Sequence, residues 1–288
     1  ERGGELYYES LRYYMGLGPT PEATAGMTAA MTDGYPVYTT WQDPILNACH
    51  RKNYTLVIGD VNTHWDKQLP GHGGAGSVAT DANDPARGAE NLLGSGTFNA
   101  VTWAKVIADL ETDASNTFTN SLGAVVSTAG NPNPIAANAS LNSKKTGSGS
   151  RSAYYWAGAA YWAHTQPIRN DLDSKGKSKS GVRVNTFAID VDEGGNGLID
   201  GNTRAIQPRS SSFYLAGKYG WFNNTDSSKI NPLPPLAAGA LGANEQLDGH
   251  PFRNALTGAL DNTRWEYSGE PNTPDGYVIA SQAKKMQE

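Results

Sequence analysis

Apolar and polar positions follow two rhythms along this chain. In "GELYYESLRYYMG" (Gly4 to Gly16), Leu6, Tyr7, Leu11 and Tyr14 recur near helical spacing, and the run from Gly16 to Pro21 stops the helix. Residues 17–43 are rich in Gly, Thr and Pro and read as loop. "YTLVIGD" (Tyr54 to Asp60) is a short continuous apolar run, the pattern of a strand covered on both faces. "TFNAVTWAKVIADLE" (Thr97 to Glu111) predicts a helix, and the aromatic and small-residue run "SAYYWAGAAYWAHTQ" (Ser152 to Gln166) predicts a buried one. "GVRVNTFAIDVDE" (Gly181 to Glu193) alternates early and then turns apolar, so it reads as a strand. A short helix over "SSFYLAGKYGWF" (Ser211 to Phe222) ends near Gly220, and a last short strand, "GYVIAS" (Gly276 to Ser281), runs into a final helix.

Strands alternating with helices imply an α/β domain with a mostly parallel sheet and helices on both faces. One domain over residues 1–288 is expected, with long insertions at about 66–96, 113–150 and 223–275, where Asn, Ser, Gly and Pro replace any periodic pattern. In such folds ligands sit at the carboxyl ends of the strands. Asp60 and Asp190 both fall at such ends.

Composition narrows the setting. Charged residues make up 18% of the chain, below the roughly 25% of a typical soluble domain. Asn, Ser, Thr and Gly fill the difference, a balance that suits an extracellular protein. The formal net charge of −5 gives no electrostatic footprint for nucleic acid. No apolar run approaches the ~18 residues that a membrane span needs. The chain opens at Glu1 almost directly in a helix and closes in another, which reads as a piece of a longer or processed chain. Its single cysteine, Cys49, is read either as a buried thiol or as half of a bridge to a cysteine elsewhere.

Two stretches carry candidate chemistry. After the Tyr54–Asp60 strand, Asp60, Asn62, Thr63 and Asp66 offer the oxygen ligands that a hard cation takes, with His64 among them. Polar residues that merely end a strand and cap the next turn would give the same pattern. The second stretch is "DVDEGGNGLIDGNT" (Asp190 to Thr203). Counted from Asp192, Asn196 falls at position 5, Gly197 at 6, Ile199 at 8 and Asp200 at 9 of a calcium-type loop, while Thr203 stands where a bidentate Glu would close it. Asp192, Asn196 and Asp200 are therefore candidate calcium ligands, against the alternative of a Gly-rich turn whose Asp and Asn bond local backbone. "GHGGAG" (Gly71 to Gly76) matches a phosphate-loop pattern but neither follows a strand nor opens a helix, so flexible loop is the better reading. His50, His64, His72, His164 and His250 show no metal-ligand spacing, and His164, on an aromatic helix, reads as structural. No H-E-x-x-H, G-x-S-x-G, Walker or C-x-x-C motif occurs.

The order of "ELYYESLRYYMG", "CHRKNYTLVIGDVNTHWDKQLPG", "SAYYWAGAAYWAHTQPIRNDL", "VRVNTFAIDVDEGGNG" and "FYLAGKYGWF" resembles the von Willebrand factor A-like region of PilY/PilC-type proteins, the tip-associated adhesins and assembly factors of type IV pili. The resemblance runs from about Gly4 to Asp226. It implies a Rossmann-like sheet and a metal-ion-dependent adhesion site, holding Ca²⁺ or Mg²⁺, at the strand carboxyl ends. Asp60 takes the role of the fourth-strand acid of that site. The first strand, with its Asp-x-Ser-x-Ser, would precede Glu1, so the domain is expected to be incomplete at its N-terminus. Further implications are an extracellular location at the pilus tip or bacterial cell surface, and minor pilins, other tip subunits, and a host or abiotic surface as partners. An upstream segment and a C-terminal propeller are expected elsewhere in the protein. The expected role is adhesive and not enzymatic. The competing expectation is a secreted metal-dependent hydrolase using Asp60 and Asp66 around an ion, with His64 as base.

Overall fold

The computed structural model describes residues 3–47, 52–59, 68–72, 87–92, 96–111, 117–119, 125–127, 144–145, 151–152, 154–191, 211–222, 251–252, 261–270 and 272–280. Helix α1 spans Gly3–Tyr14, and two single turns, α2 (Pro21–Thr24) and α3 (Ala29–Thr32), punctuate the segment expected to be loop. Strand β1 is Asn53–Gly59. The short hairpin of β2 (Glu90–Leu92) and β3 (Gly96–Phe98) precedes α4 (Ala100–Glu111). Two further antiparallel pairs follow, β4 (Thr117–Thr119) with β5 (Val125–Ser127) and β6 (Lys144–Lys145) with β7 (Arg151–Ser152). Helix α5 is Tyr155–Thr165, β8 is Val184–Asp190, α6 is Ser212–Gly220, and β9 is Tyr277–Ile279.

The main sheet has the order β1-β8-β9 and is parallel throughout. Its register pairs Thr55 with Thr186, Leu56 with Phe187 and Gly59 with Asp190. The face carrying Thr55 and Thr186 is covered by helices: Ser10 of α1 reaches Thr55, and Tyr7 Oη lies 2.7 Å from Thr186 Oγ1. A Cβ on Gly220 of α6 would sit 2.7 Å from that of Thr186. Every residue of α5 is buried. It packs between α4 and α6, with Trp103 edge-on to Tyr161 at 5.7 Å and Tyr161 edge-on to Tyr219 at 5.6 Å. This aromatic layer is the hydrophobic core, so the expectation of a buried aromatic helix is met.

Several expectations are corrected. Leu6 is 71% exposed, and the inward stripe of α1 is instead Gly4, Tyr7, Tyr8 and Leu11, continued by Met15 just past the helix, because Tyr8 stacks on Phe98 at 5.4 Å. Helix α4 starts later than Thr97, since Thr97 and Phe98 pair with β2 and the Asn99 side chain accepts from the Thr102 amide, a helix cap. The stretch 66–96 is not wholly irregular, because it contains β2. Gly71 and His72 form a packed turn, not a free loop: Gly71 has φ +95° and His72 is buried. Among the described residues, helices α1, α5 and α6 cover one face of β1; Tyr54, Leu56 and Ile58 point to the other and are exposed, with only Tyr54 meeting a neighbour from the helices there, Trp221 at the end of α6, 5.7 Å between ring centres.

Candidate functional site

The three parallel strands end together, and the N-termini of α1, α5 and α6 lie at the same end. Tyr14, at the end of α1, donates from its hydroxyl to the carbonyl of Tyr54 at the start of β1, so the helix runs against the strand. His164, at the end of α5, lies beside Asn185 at the start of β8. Helix N-termini and strand carboxyl ends therefore share one edge, the usual ligand edge of an α/β sheet.

Asp190 closes β8 at this edge and is fully buried. Its Oδ2 accepts from the Tyr277 hydroxyl at 2.8 Å. The Tyr277 ring meets Tyr214 edge-on at 5.4 Å, and the Tyr214 hydroxyl donates to the Asn272 carbonyl at 2.6 Å. A buried carboxylate needs such donors, because desolvation without them is costly. The Val191 amide then donates to the Gly59 carbonyl at 2.8 Å. The chain thus leaves β1 and β8 from adjacent positions.

A family model described as PilY1 homolog, second domain, matches residues 3–163, more than half of the chain. The chain belongs to the PilY1-homolog family. A protein of Xylella fastidiosa named "Type IV pilus biogenesis factor PilY1 homolog" is 30% identical over 240 residues. That alignment covers 80% of this PilY1-type chain but 17% of the relative, so the chain spans about a sixth of the relative's length. No solved structure matches it significantly.

Asp60, Asp192, Asn196 and Asp200 of this PilY1-type chain lie outside the described residues, as do Cys49, Asn62, Thr63, His64 and Asp66. What the described residues give is their points of departure: Gly59, directly before Asp60, is in register with Asp190, which lies two positions before Asp192. Among the described residues no three His, Cys, Asp or Glu side chains group as metal ligands. His164 is structural, as expected. Its Nε2 lies 2.9 Å from the Phe222 carbonyl and its Nδ1 2.8 Å from Asn185 Oδ1. Burial, outweighing both bonds, pushes its pKa down to about 4, so the ring is neutral near pH 7.

Two charged clusters have no sequence signature. Glu90 accepts from the Tyr8 hydroxyl at 2.7 Å and pairs with Arg12, while Arg87 lies over the Tyr8 ring, 5.3 Å from its centroid. Arg169, 2% exposed, holds Asp43 through both terminal nitrogens at 2.6 and 2.8 Å, and also binds Asp171, while Lys179 reaches both acids. Burial pulls Asp43 upward, but Arg169, the Ile45 amide and Lys179 together hold its carboxyl well below the usual range. Arg169 and Asp171 are two positions apart, but nothing local marks Asp43, 126 positions away, as their partner.

Proposed function

We propose that this chain is a von Willebrand factor A-type, Rossmann-like module that acts in type IV pilus assembly and in attachment at the pilus tip. The role is non-enzymatic. The observation that carries the reading is the PilY1-homolog match over residues 3–163, together with the relative whose name states type IV pilus biogenesis. The parallel sheet supports the fold assignment, since its strand ends and helix N-termini share one edge. On this reading the chain works outside the cell, at the pilus tip or cell surface, against minor pilins or other tip subunits and a host or abiotic surface.

A divalent ion, Ca²⁺ or Mg²⁺, belongs to the same proposal. Asp60 would supply the strand-end acid. Asp192, Asn196 and Asp200 would supply three oxygens of a calcium loop, with backbone carbonyls and water completing the 6–8 ligands. The ion would add electrostatic reach toward a partner carboxylate. Deleting the gene from a piliated host and restoring it with wild type, Asp60→Ala or Asp192→Ala tests the proposal. Deletion is expected to remove surface pili, and the two variants to restore pili without calcium-dependent attachment. Normal pili in the deletion strain would sink the assembly role; full attachment by both variants in chelator would sink the metal role. For the purified chain, calcium at 100 times its dissociation constant is expected to add about 2.7 kcal/mol of stability, and Asp192→Ala to abolish that gain.

A further inference from the structure

The segment between α1 and β1 is fastened at both ends and bare between them. At its first foot the Gly18 carbonyl accepts from Arg12 Nε at 2.9 Å, and the Glu9 carboxylate accepts from both the amide and the hydroxyl of Thr20. At its second foot Trp41 stands edge-on to Tyr13 at 5.9 Å, and Asp43 is gripped by buried Arg169 and by Lys179. No residue from 21 to 40 is buried. The backbone there closes turns on itself. The Ala25 amide donates to the Pro21 carbonyl at 2.8 Å, and the Tyr35 amide to the Thr32 carbonyl at 2.8 Å. Asp33, inside the second turn, takes φ +46°, a left-handed conformation that is uncommon for a residue with a side chain. Met31 and Tyr35 flank that turn, so they are displayed by a set conformation and not by slack chain.

What the arm displays is apolar. Met31 is 74% exposed, Tyr35 73% and Tyr38 74%, with Met27 and Val37 partly exposed beside them. The only charges between Gly18 and Trp41 are Glu22 and Asp33. Interface cores are rich in Met and Tyr and poor in charge, whereas a solvated loop is the reverse. A cluster of exposed apolar side chains marks an interaction site, and a connection longer than roughly 12–15 residues is usually functional. Because the feet are already fixed, less chain entropy is lost when the arm is bound.

We infer that residues 21–40 form a docking arm that seats Met27, Met31, Tyr35, Val37 and Tyr38 in an apolar, basic-rimmed groove outside residues 1–288, in the longer polypeptide in which PilY1-type domains occur. Both charges of the arm are acidic, which sets the rim and disfavours an anionic membrane or nucleic acid. Pairing with the same arm of a second copy would bring acids of one sign together. Length favours the same polypeptide: more than four-fifths of the matched relative lies outside the matched stretch, and a tethered groove is met at high effective concentration. The inference uses the relative's length and not the pilus reading, so it stands or falls separately.

Two measurements on the intact polypeptide, purified from the cells that make it, decide the matter. A photo-crosslinking benzophenone amino acid in place of Tyr38 is expected to attach to residues of the same polypeptide outside 1–288. Attachment within 1–288, to a second copy or to a different protein overturns the inference, as does attachment no greater than in the denatured polypeptide. Peroxide oxidation reads the arm without a probe, with fully buried Met15 as the internal standard. In the native polypeptide Met31 is expected to oxidise at least about tenfold more slowly than in the denatured one, as Met15 does. Tyr35→Glu is expected to bring Met31 close to the denatured rate while Met15 stays slow, because Tyr35 touches none of the core. Fast oxidation of Met31 in the unmodified native polypeptide, or slow oxidation in the variant, would sink the docking arm.

Discussion

His164 illustrates how a single buried side chain sets a pH dependence. Its folded pKa, about 4, lies below the ordinary value of 6.5, because burial penalises the charged ring more than Asn185 and Phe222 favour it. Above pH 6.5 both states are neutral here and the full stability is present. As pH falls through 6.5 the unfolded chain takes up a proton that the folded chain refuses until about pH 4, and stability drains across that window, by about 3 kcal/mol in all. Chemical denaturation between pH 7 and 4.5 should show this slope, and His164→Gln should flatten it. If both proteins lose stability equally, another group carries the effect. The histidine was legible as structural because it sits in an aromatic run. Arg169 was not: its two terminal nitrogens hold an acid in a segment that reads as loop, and only the fold brings them together. Asp43 and Asp171 keep partial contact with water, so the pairing is screened on their side, while Arg169 is buried and losing its acids would strand its charge.

Among the elements, α5 was the most legible and β1 the most misleading. A helix buried on every side needs no amphipathic stripe, and the run of Ala, Gly and aromatic residues announces it. Its Gly158 is there for contact: a Cβ would lie 2.4 Å from the Ala104 amide nitrogen and 2.7 Å from the Trp103 carbonyl carbon of α4. Neither backbone atom can yield without moving a whole helix. Gly158→Ala is therefore expected to destabilise the chain by about 1–3 kcal/mol despite the better helix propensity of Ala, read as a lowered denaturant midpoint. An unchanged midpoint would mean that α4 does not press on α5. For β1, a continuous apolar run looks the same whether its second face is covered by this chain or by something else. Periodicity reports hydrophobic character and not what covers it, which is why both-face burial was expected and one-face burial found.

At the scale of the molecule, the α/β class with a parallel main sheet was legible, because strand and helix patterns alternate; the short antiparallel pairs, β2 with β3 among them, were not. The order of the strands was not. β1 and β8 are neighbours in space although residues 60–183 separate them, and no local pattern records that pairing. The candidate acids can be named from the sequence but not placed by it: Asp60 follows from strand-end position and Asp192 from the spacing of a calcium-type loop, whereas the Tyr277 hydroxyl that holds Asp190 comes from a strand 87 residues further on. Tyr277 has no acidic motif beside it, so the signal could have come only from pairing β9 against β8.

The long separation of β1 and β8 makes the domain divisible. The portion through β5 contributes α1, β1 and α4; the portion from β6 onward contributes α5, β8, α6 and β9. They meet through seven register pairs, the Tyr7–Thr186 bond, the Arg169 grip on Asp43 and the seat of Gly158 on α4. These contacts are non-covalent, so the two portions are expected to hold together without continuity of the chain between Ser127 and Lys144. Two separately encoded fragments, divided between those residues and made in one cell, should co-purify through a tag on either one and unfold in a single transition. Fragments that elute apart would show that the backbone link itself is required, by raising the local concentration of one half about the other. A protease nick there would then release two pieces, whereas a divisible domain would stay whole under native conditions and reveal the cut only after denaturation.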